Sequence, residues 1–216
     1  MNETKTEEYT IKRKGEDAWK KCKHLGSLLD TENDINRRKS LATNTFNQLK
    51  PIFTNKKVSD EVKLRLFNSH IRSIFMYNSE LWTLTKQLEN TIDTFQRNIL
   101  RNILGLKWYD KVKNEDLYSK TKEIPWSKVI KKRRLTWYGH LLRLPERTAA
   151  KAALREIRKY HPKPRGGQKL TWIKQVDKEM KENKIKLLIN GKIIEDHQTL
   201  AQNRHIWRAV VTALCQ

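Results

Sequence analysis

Residues 86–105, KQLENTIDTFQRNILRNILG, decide the fold class of this chain. Leu88, Ile92, Phe95, Ile99 and Ile103 recur at steps of four, three, four and four, which places five apolar side chains on one face of an α-helix. Gly105 stands where a helix of this pattern ends. The same reading extends upstream. Ser59 followed by Asp60-Glu61 is a helix start, because a short side-chain oxygen accepts from free backbone N–H groups and acids suit the positive end of the helix. Val62, Leu66, Phe67, Ile71, Ile74 and Phe75 then follow at helical spacing. Earlier, Thr31 or Asn33 caps a helix presenting Ile35, Ala42, Phe46 and Leu49, which is expected to end before Pro51.

Downstream, Asn114 with Glu115-Asp116 begins a shorter helix that stops before Pro125. A further helix fits Trp126 to Leu144, and an Ala-rich basic one fits Thr148 to Tyr160. HPKPRGGQK (161–169) holds two Pro and two Gly and reads as a loop or linker. Thr171 caps a helix running to about Asn183. In LLINGKII (187–194) an Asn-Gly pair between apolar runs gives a hairpin or a plain loop. Leu200, Trp207, Val210, Val211 and Leu214 share a last helical stripe. The first 29 residues differ: YTIKRKG alternates, Gly15 turns the chain, and Trp19, Lys21, Lys23 and Leu25 share a side, so a small β-hairpin ending at Leu25-Gly26-Ser27 is expected. The expected fold class is therefore mainly α with a small N-terminal β-hairpin. Boundaries fall near residue 125 or within 161–169.

Composition narrows the function. The chain of 216 residues carries a net charge of +22, and seven Trp with 37% hydrophobic residues argue for a packed core. Cys22 and Cys215 lie near opposite ends with no partner cysteines, which fits free thiols in a reducing, intracellular compartment. MNETKTEEYT is polar and acid-rich, unlike a secretory or mitochondrial signal. No apolar run approaches the roughly 20 residues that span a bilayer, and no helix pairs a clean apolar face with a lysine face, so a membrane is not an expected partner. The six His never pair at ligand spacing near a cysteine, which leaves no metal site, and no cofactor motif is present.

Residues 127–175 hold 15 of the 46 lysines and arginines with only Glu146 and Glu156 against them, a net +13 of the total +22. Trp137 and Trp172 lie within this segment and Trp126 just before it. Positive charge beside flat rings is what phosphate neutralisation and base stacking need. Within KKRRLTWYGHLLRL (131–144), Lys131, Lys132, Arg133 and Arg134 are consecutive, and a helix fans them through more than about 270°. They cannot all face one ligand. Trp126, Ile130, Trp137 and Leu141 fit a core stripe, whereas the arginines lack the acidic neighbours along the helix that would justify them structurally. Phosphate contact is the expected role for the cations. Lys163, Arg165 and Lys169 beside Gly166-Gly167 form a second basic element, either a ligand-approaching loop or a linker.

Several strings now converge on one family. RRLTWYGHLLRLPERTAAKAAL, PRGGQKLTW and LAQNRHIWRAVV resemble the C-terminal part of reverse transcriptases of non-LTR (LINE-type) retrotransposons, especially the RTE-like and jockey-like groups. EDLYSKTKEIPWSKVIKKRRLTWYGHLLRLP resembles it as a whole. NETKTEE is similar to the N-x-x-K-T-E that follows the polymerase's catalytic aspartates, KHLGSLLD to the K-Y-L-G-S primer grip, and IFMYNSELWTLT to the start of the thumb.

The resemblance implies a division into a palm remnant with primer-grip hairpin over 1–29, a helical thumb-like region over 30–123 and a basic helical C-terminal domain over 124–216. Asn2, Lys5 and Thr6 would be a vestige of the active-site motif. Leu25, Gly26 and Ser27 would be primer-grip-like, with His24 where the family commonly has Tyr. Lys131, Lys132, Arg133, Arg134, Trp137, His140, Arg143, Lys163, Arg165 and Lys169 would contact RNA or DNA. In the family two metal-binding aspartates in a Y/F-A-D-D turn precede N-x-x-K-T-E, so a chain beginning at Met1-Asn2 is expected to bind nucleic acid without catalysis, with no catalytic residue of its own. The zinc knuckle of some families has no counterpart. The competing expectation is a protein-interaction or inert relic, binding through the apolar faces of helices 62–75 and 88–103. KKRR at 131–134 also matches a nuclear signal, consistent with nucleus or cytoplasm.

Overall fold

A computed structural model describes residues 23–159, 170–181, 187–189, 192–194 and 197–215. The chain is mainly helical, as its periodicity predicts. It opens with a two-residue hairpin, β1 (Lys23–His24) paired antiparallel with β2 (Ser27–Leu28). Leu25 and Gly26 form its turn with φ of 44° and 83°, both in the left-handed region that a tight hairpin requires and that glycine enters without strain. The turn therefore sits at Leu25-Gly26, where the sequence reading placed the hairpin's end. The expected turn at Gly15 lies outside the described residues.

The N-terminal helices follow in order: α1 (Thr31–Phe53), α2 (Asp60–Leu66) and α3 (Ser73–Phe75), the last two joined through a π-helical stretch, Phe67–Arg72, into one rod. Asp30, rather than Thr31 or Asn33, caps α1 by accepting from the Asn33 N–H at 3.0 Å. The helix also runs on through Pro51, which sits in its last turn. Ser59 caps α2 as its sequence indicates. Next come α4 (Lys86–Ile103), α5 (Asn114–Thr121) and α6 (Trp126–Arg143). Gly105 ends α4 at φ 67°, with the Leu106 N–H reaching back to the Arg101 carbonyl at 2.9 Å.

The C-terminal part holds α7 (Ala149–Lys159), α8 (Trp172–Lys181), α9 (His197–Gln202) and α10 (Arg204–Leu214). A second antiparallel pair forms between β3 (Leu187–Ile189) and β4 (Lys192–Ile194), while the Asn-Gly between them lies outside the described residues. The last helical stripe is broken between α9 and α10. Asn203 turns out of the helix and caps α10, its side-chain oxygen accepting from His205 and Ile206 at 3.0 and 3.2 Å. No helix among the described residues is long and apolar enough to cross a membrane.

Among the described residues two hydrophobic clusters make the core, and α6 contributes to both. Its first turns supply Trp126 and Ile130 to the cluster built from α1 to α5, while Leu135, Tyr138, Leu141 and Leu142 enter the cluster shared with α7 to α10. Trp126 is stacked by Phe67 at 5.7 Å and Phe75 at 4.6 Å between ring centres. Phe67, Ile71, Phe75, Ile92, Ile99 and Ile103 are all buried there. The chain's own helices cover most of the apolar faces of helices 62–75 and 88–103, leaving Val62 exposed and Leu66, Ile74, Leu88 and Phe95 half-buried.

Candidate nucleic-acid interface

What a basic helix can offer to a ligand depends on how it is held, and α6 is held by side chains far away in sequence. Pro125 at its start supplies no side-chain cap. The N–H groups of Trp126 and Ser127 instead donate to Gln96 Oε1 and Asp93 Oδ1 of α4, each at 2.9 Å. The Ser127 hydroxyl adds 2.7 Å to Asp93 Oδ2. A negative side chain at the helix N-terminus meets the dipole favourably. Lower down, the Trp207 indole N–H of α10 donates to the Leu135 carbonyl at 3.0 Å and lies against Gly139, whose missing side chain lets the ring approach.

The four consecutive cations of 131–134 are divided by this packing. Arg134 points inward and is 1% exposed. Its Nη1 pairs with the Glu179 carboxylate of α8 in a short contact, and its Nε donates to the Trp82 carbonyl at 3.2 Å. Burial lowers the Arg134 pKa despite Glu179, and burial likewise raises the Glu179 carboxyl above its ordinary range despite the guanidinium. Arg134 is therefore a buried structural ion pair, and its expected role at a phosphate is corrected. Arg133 is exposed but tied on one side, donating to the Met76 carbonyl at 2.6 Å and lying 3.6 Å from Glu80.

Lys132 is exposed, as is Lys128 one turn earlier, and Lys131 is half-buried at the edge of the face. These three lysines lie within electrostatic reach of the Cys215 thiol, whose pKa burial raises, which sets them around the end of α10. His140 is exposed with its ring 5.2 Å from Trp137, and Trp137 is half-buried against the C-terminal cluster, so it is not part of a fully covered stripe. Arg143 is half-buried, donates to the Ala201 carbonyl at 3.0 Å, and has a pKa lowered by burial and then by Arg204. The solvent-facing part of the predicted set thus reduces to Lys132, Arg133 and His140, with Lys131 and Trp137 at the margin. Lys163, Arg165 and Lys169, like Asn2, Lys5 and Thr6, lie outside the described residues.

The hairpin turn is fastened to the same neighbourhood. The Gly26 carbonyl accepts from both Arg37 Nη1 and Arg38 Nη2 of α1 at 2.6 Å, and buried Ser27 accepts from Arg38 at 3.1 Å. Leu25 at the tip is 80% exposed, and its carbonyl accepts from the Tyr77 hydroxyl at 3.0 Å. Because Met76 takes Arg133 and Tyr77 takes Leu25, adjacent residues connect the turn to α6. The rest of this connecting segment is clamped by α8. Gln175 makes paired bonds to the Leu84 backbone at 2.7 and 3.1 Å, and the Trp172 indole donates to the Glu80 carbonyl at 2.8 Å.

Sequence reasoning missed Glu80 and Glu179, whose partners on α6 lie about fifty residues away. It also missed Trp108 and Tyr109, which stand exposed between α4 and α5. The signal for the latter was the position of two rings between a helix stop at Gly105 and a helix start at Asn114, in no periodic pattern.

Among known proteins, the chain is 25% identical over 198 residues to an uncharacterized transposon-derived protein of Caenorhabditis elegans, covering 87% of this chain and 68% of that protein. No family model matches the chain. No solved structure matches it either. The similarity points to a transposon-derived origin.

Proposed function

We propose that the chain is a nucleic-acid-binding portion of a non-LTR retrotransposon reverse transcriptase, contributing binding rather than phosphoryl transfer. The observation that carries this reading is the net +13 over residues 127–175, with Lys128 and Lys132 exposed on a helix that is rigidly anchored at both ends. Anchoring matters because a preset row of cations loses little freedom when it meets a phosphate backbone. The transposon-derived relative supports a retroelement origin. The hairpin turn at Leu25-Gly26-Ser27 and α6 reach the adjacent residues Met76 and Tyr77, as a primer-contacting turn and a template-holding helix would need to.

The template is RNA or DNA, gripped without regard to sequence through its phosphates. Binding should therefore weaken steeply with salt, at about −0.7 to −0.9 in the log–log slope for each phosphate neutralised. Fluorescence anisotropy with single-stranded RNA and with an RNA–DNA hybrid, across a salt series, tests it. Tight binding with a steep slope is expected, and weak binding even at low salt would refute the reading. The protein-interaction alternative has less apolar surface to use than the sequence suggests, because Phe67, Ile71, Phe75, Ile92, Ile99 and Ile103 of the thumb-like helices are buried and Val62 alone of the two stripes is exposed. Nuclear entry through KKRR would have to use Lys131, Lys132 and Arg133, since Arg134 is inside.

A further inference from the structure

Beyond Gly105 the chain makes one turn of tight helix, Trp108–Asp110, before α5 begins. Trp108 is 89% exposed and Tyr109 is 61% exposed. Their rings stand edge to face, 5.8 Å apart at 73°. Two adjacent large aromatics facing water are unusual, since both bury well when the fold allows it.

The loop that carries them is tied on both sides. The Lys107 N–H donates to Asp110 Oδ2 at 2.6 Å and the Asp110 N–H to the Lys107 carbonyl at 3.1 Å. Arg101 of α4 donates to the Val112 carbonyl at 3.4 Å and to Asn114 Oδ1 at 2.7 Å. The rings are thus presented by a hydrogen-bonded turn.

Three lysines of the same loop flank them. Lys107, Lys111 and Lys113 are all exposed; Asp110 accepts from the Lys107 N–H, and the next acids, Glu115 and Asp116, sit in the first turn of α5. Flat π-faces among lysines match a ligand that joins unstacked bases to phosphates. A duplex keeps its base faces inside the stack, so it offers the lysines a partner but not the rings.

We infer that Trp108 and Tyr109, flanked by Lys107, Lys111 and Lys113, form a stacking platform for the bases of single-stranded nucleic acid. The inference rests on the nucleic-acid reading above and adds a preference for single strands at a second place on the molecule.

The test compares the full chain with a Trp108→Ala/Tyr109→Ala variant and with Trp108→Phe. The probes are a labelled single-stranded RNA of mixed sequence and the same RNA paired with complementary DNA. The double variant is expected to lose about tenfold or more in single-strand affinity, within the roughly 5- to 150-fold range for removal of a stacked base contact, and to keep its hybrid affinity and salt slope. Trp108→Phe should retain most of the binding, because a ring remains. Both side chains are exposed, so far-UV circular dichroism and the unfolding midpoint should match the parent. If the parent binds single strands and the double variant binds them equally well, the platform is overturned while the nucleic-acid reading stands. Equal losses on single strand and hybrid also overturn it. If the parent binds neither probe, the nucleic-acid reading fails and the platform falls with it. If the double variant instead abolishes self-association of the chain, the rings are a protein contact and the inference is wrong.

Discussion

Replacing Gly139 by Ala should destabilise this protein, although helix propensity alone argues the reverse. In the interior of a helix the exchange ordinarily gains about 1 kcal/mol. Here a Cβ on Gly139 would stand 2.1 Å from Nε1 and 2.5 Å from Cδ1 of Trp207, well inside contact distance. The offending atoms belong to a ring that is itself buried and whose N–H donates to the Leu135 carbonyl at 3.0 Å. The ring must move, at about 1–3 kcal/mol for overpacking. Moving it also strands a buried indole donor, at about 1–3 kcal/mol more. The net expectation is a loss of about 3 kcal/mol, after the propensity gain is set against both costs. In urea unfolding followed by circular dichroism this lowers the midpoint by about 1 M, for a slope at the upper end of the usual range. Making the same exchange in a Trp207→Phe background should cost less, because the smaller ring leaves room, with a coupling of about 0.5–3 kcal/mol. A Gly139→Ala protein as stable as the parent would refute the packing argument.

Other expectations follow from the buried polar groups. Arg134→Met or Glu179→Met alone should each cost about 3–5 kcal/mol by leaving a buried charge unpaired, while the double change should recover most of the loss in denaturant unfolding. Because burial raises the folded Glu179 pKa above its ordinary 4.5, its contribution is full below that value and is lost as pH rises through the folded pKa; Glu179→Gln should flatten that part of the stability–pH curve. Asp34 accepts from the Leu28 N–H and the Trp82 indole, both at 3.0 Å, and faces Arg37 and Arg38. Asp34→Ala should therefore cost about 3 kcal/mol and loosen the hairpin, read as faster amide exchange at Leu28, with Asp34→Asn milder.

Local signals made the helices legible. The apolar steps through Leu88 to Ile103, the Ser59 cap and the Gly105 stop all act within a turn or two, so residues near in sequence reveal them. Asp30 displaced the expected caps because any short acceptor before the first turn serves, and sequence alone cannot choose among Asp30, Thr31 and Asn33. Pro51 marks a stop in the sequence, yet α1 runs two residues past it to Phe53, so the proline costs only the last turn's geometry rather than the helix. The site was less legible. Arg133 and Arg134 looked unpaired because their acids, Glu80 and Glu179, come from other elements, and no helical spacing reports a partner on another helix. The absence of nearby acids is thus evidence of a tertiary partner as much as of a phosphate, and at Arg134 burial favours the tertiary partner. Trp137 erred the other way: heptad-like spacing with Leu141 suggested core, yet the ring is only half covered, because the helix rotates its buried stripe toward Arg134 and Tyr138.

The most direct measurement of the central claim is the salt dependence of single-stranded RNA binding for the parent chain and for a Lys128→Glu/Lys132→Glu variant. If the outward lysines of α6 neutralise phosphates, the variant's log–log slope should be shallower by at least about 1.4, which is two phosphates at about 0.7 each. An unchanged slope, with the fold intact by circular dichroism, would contradict the assignment of α6 as the nucleic-acid-binding helix.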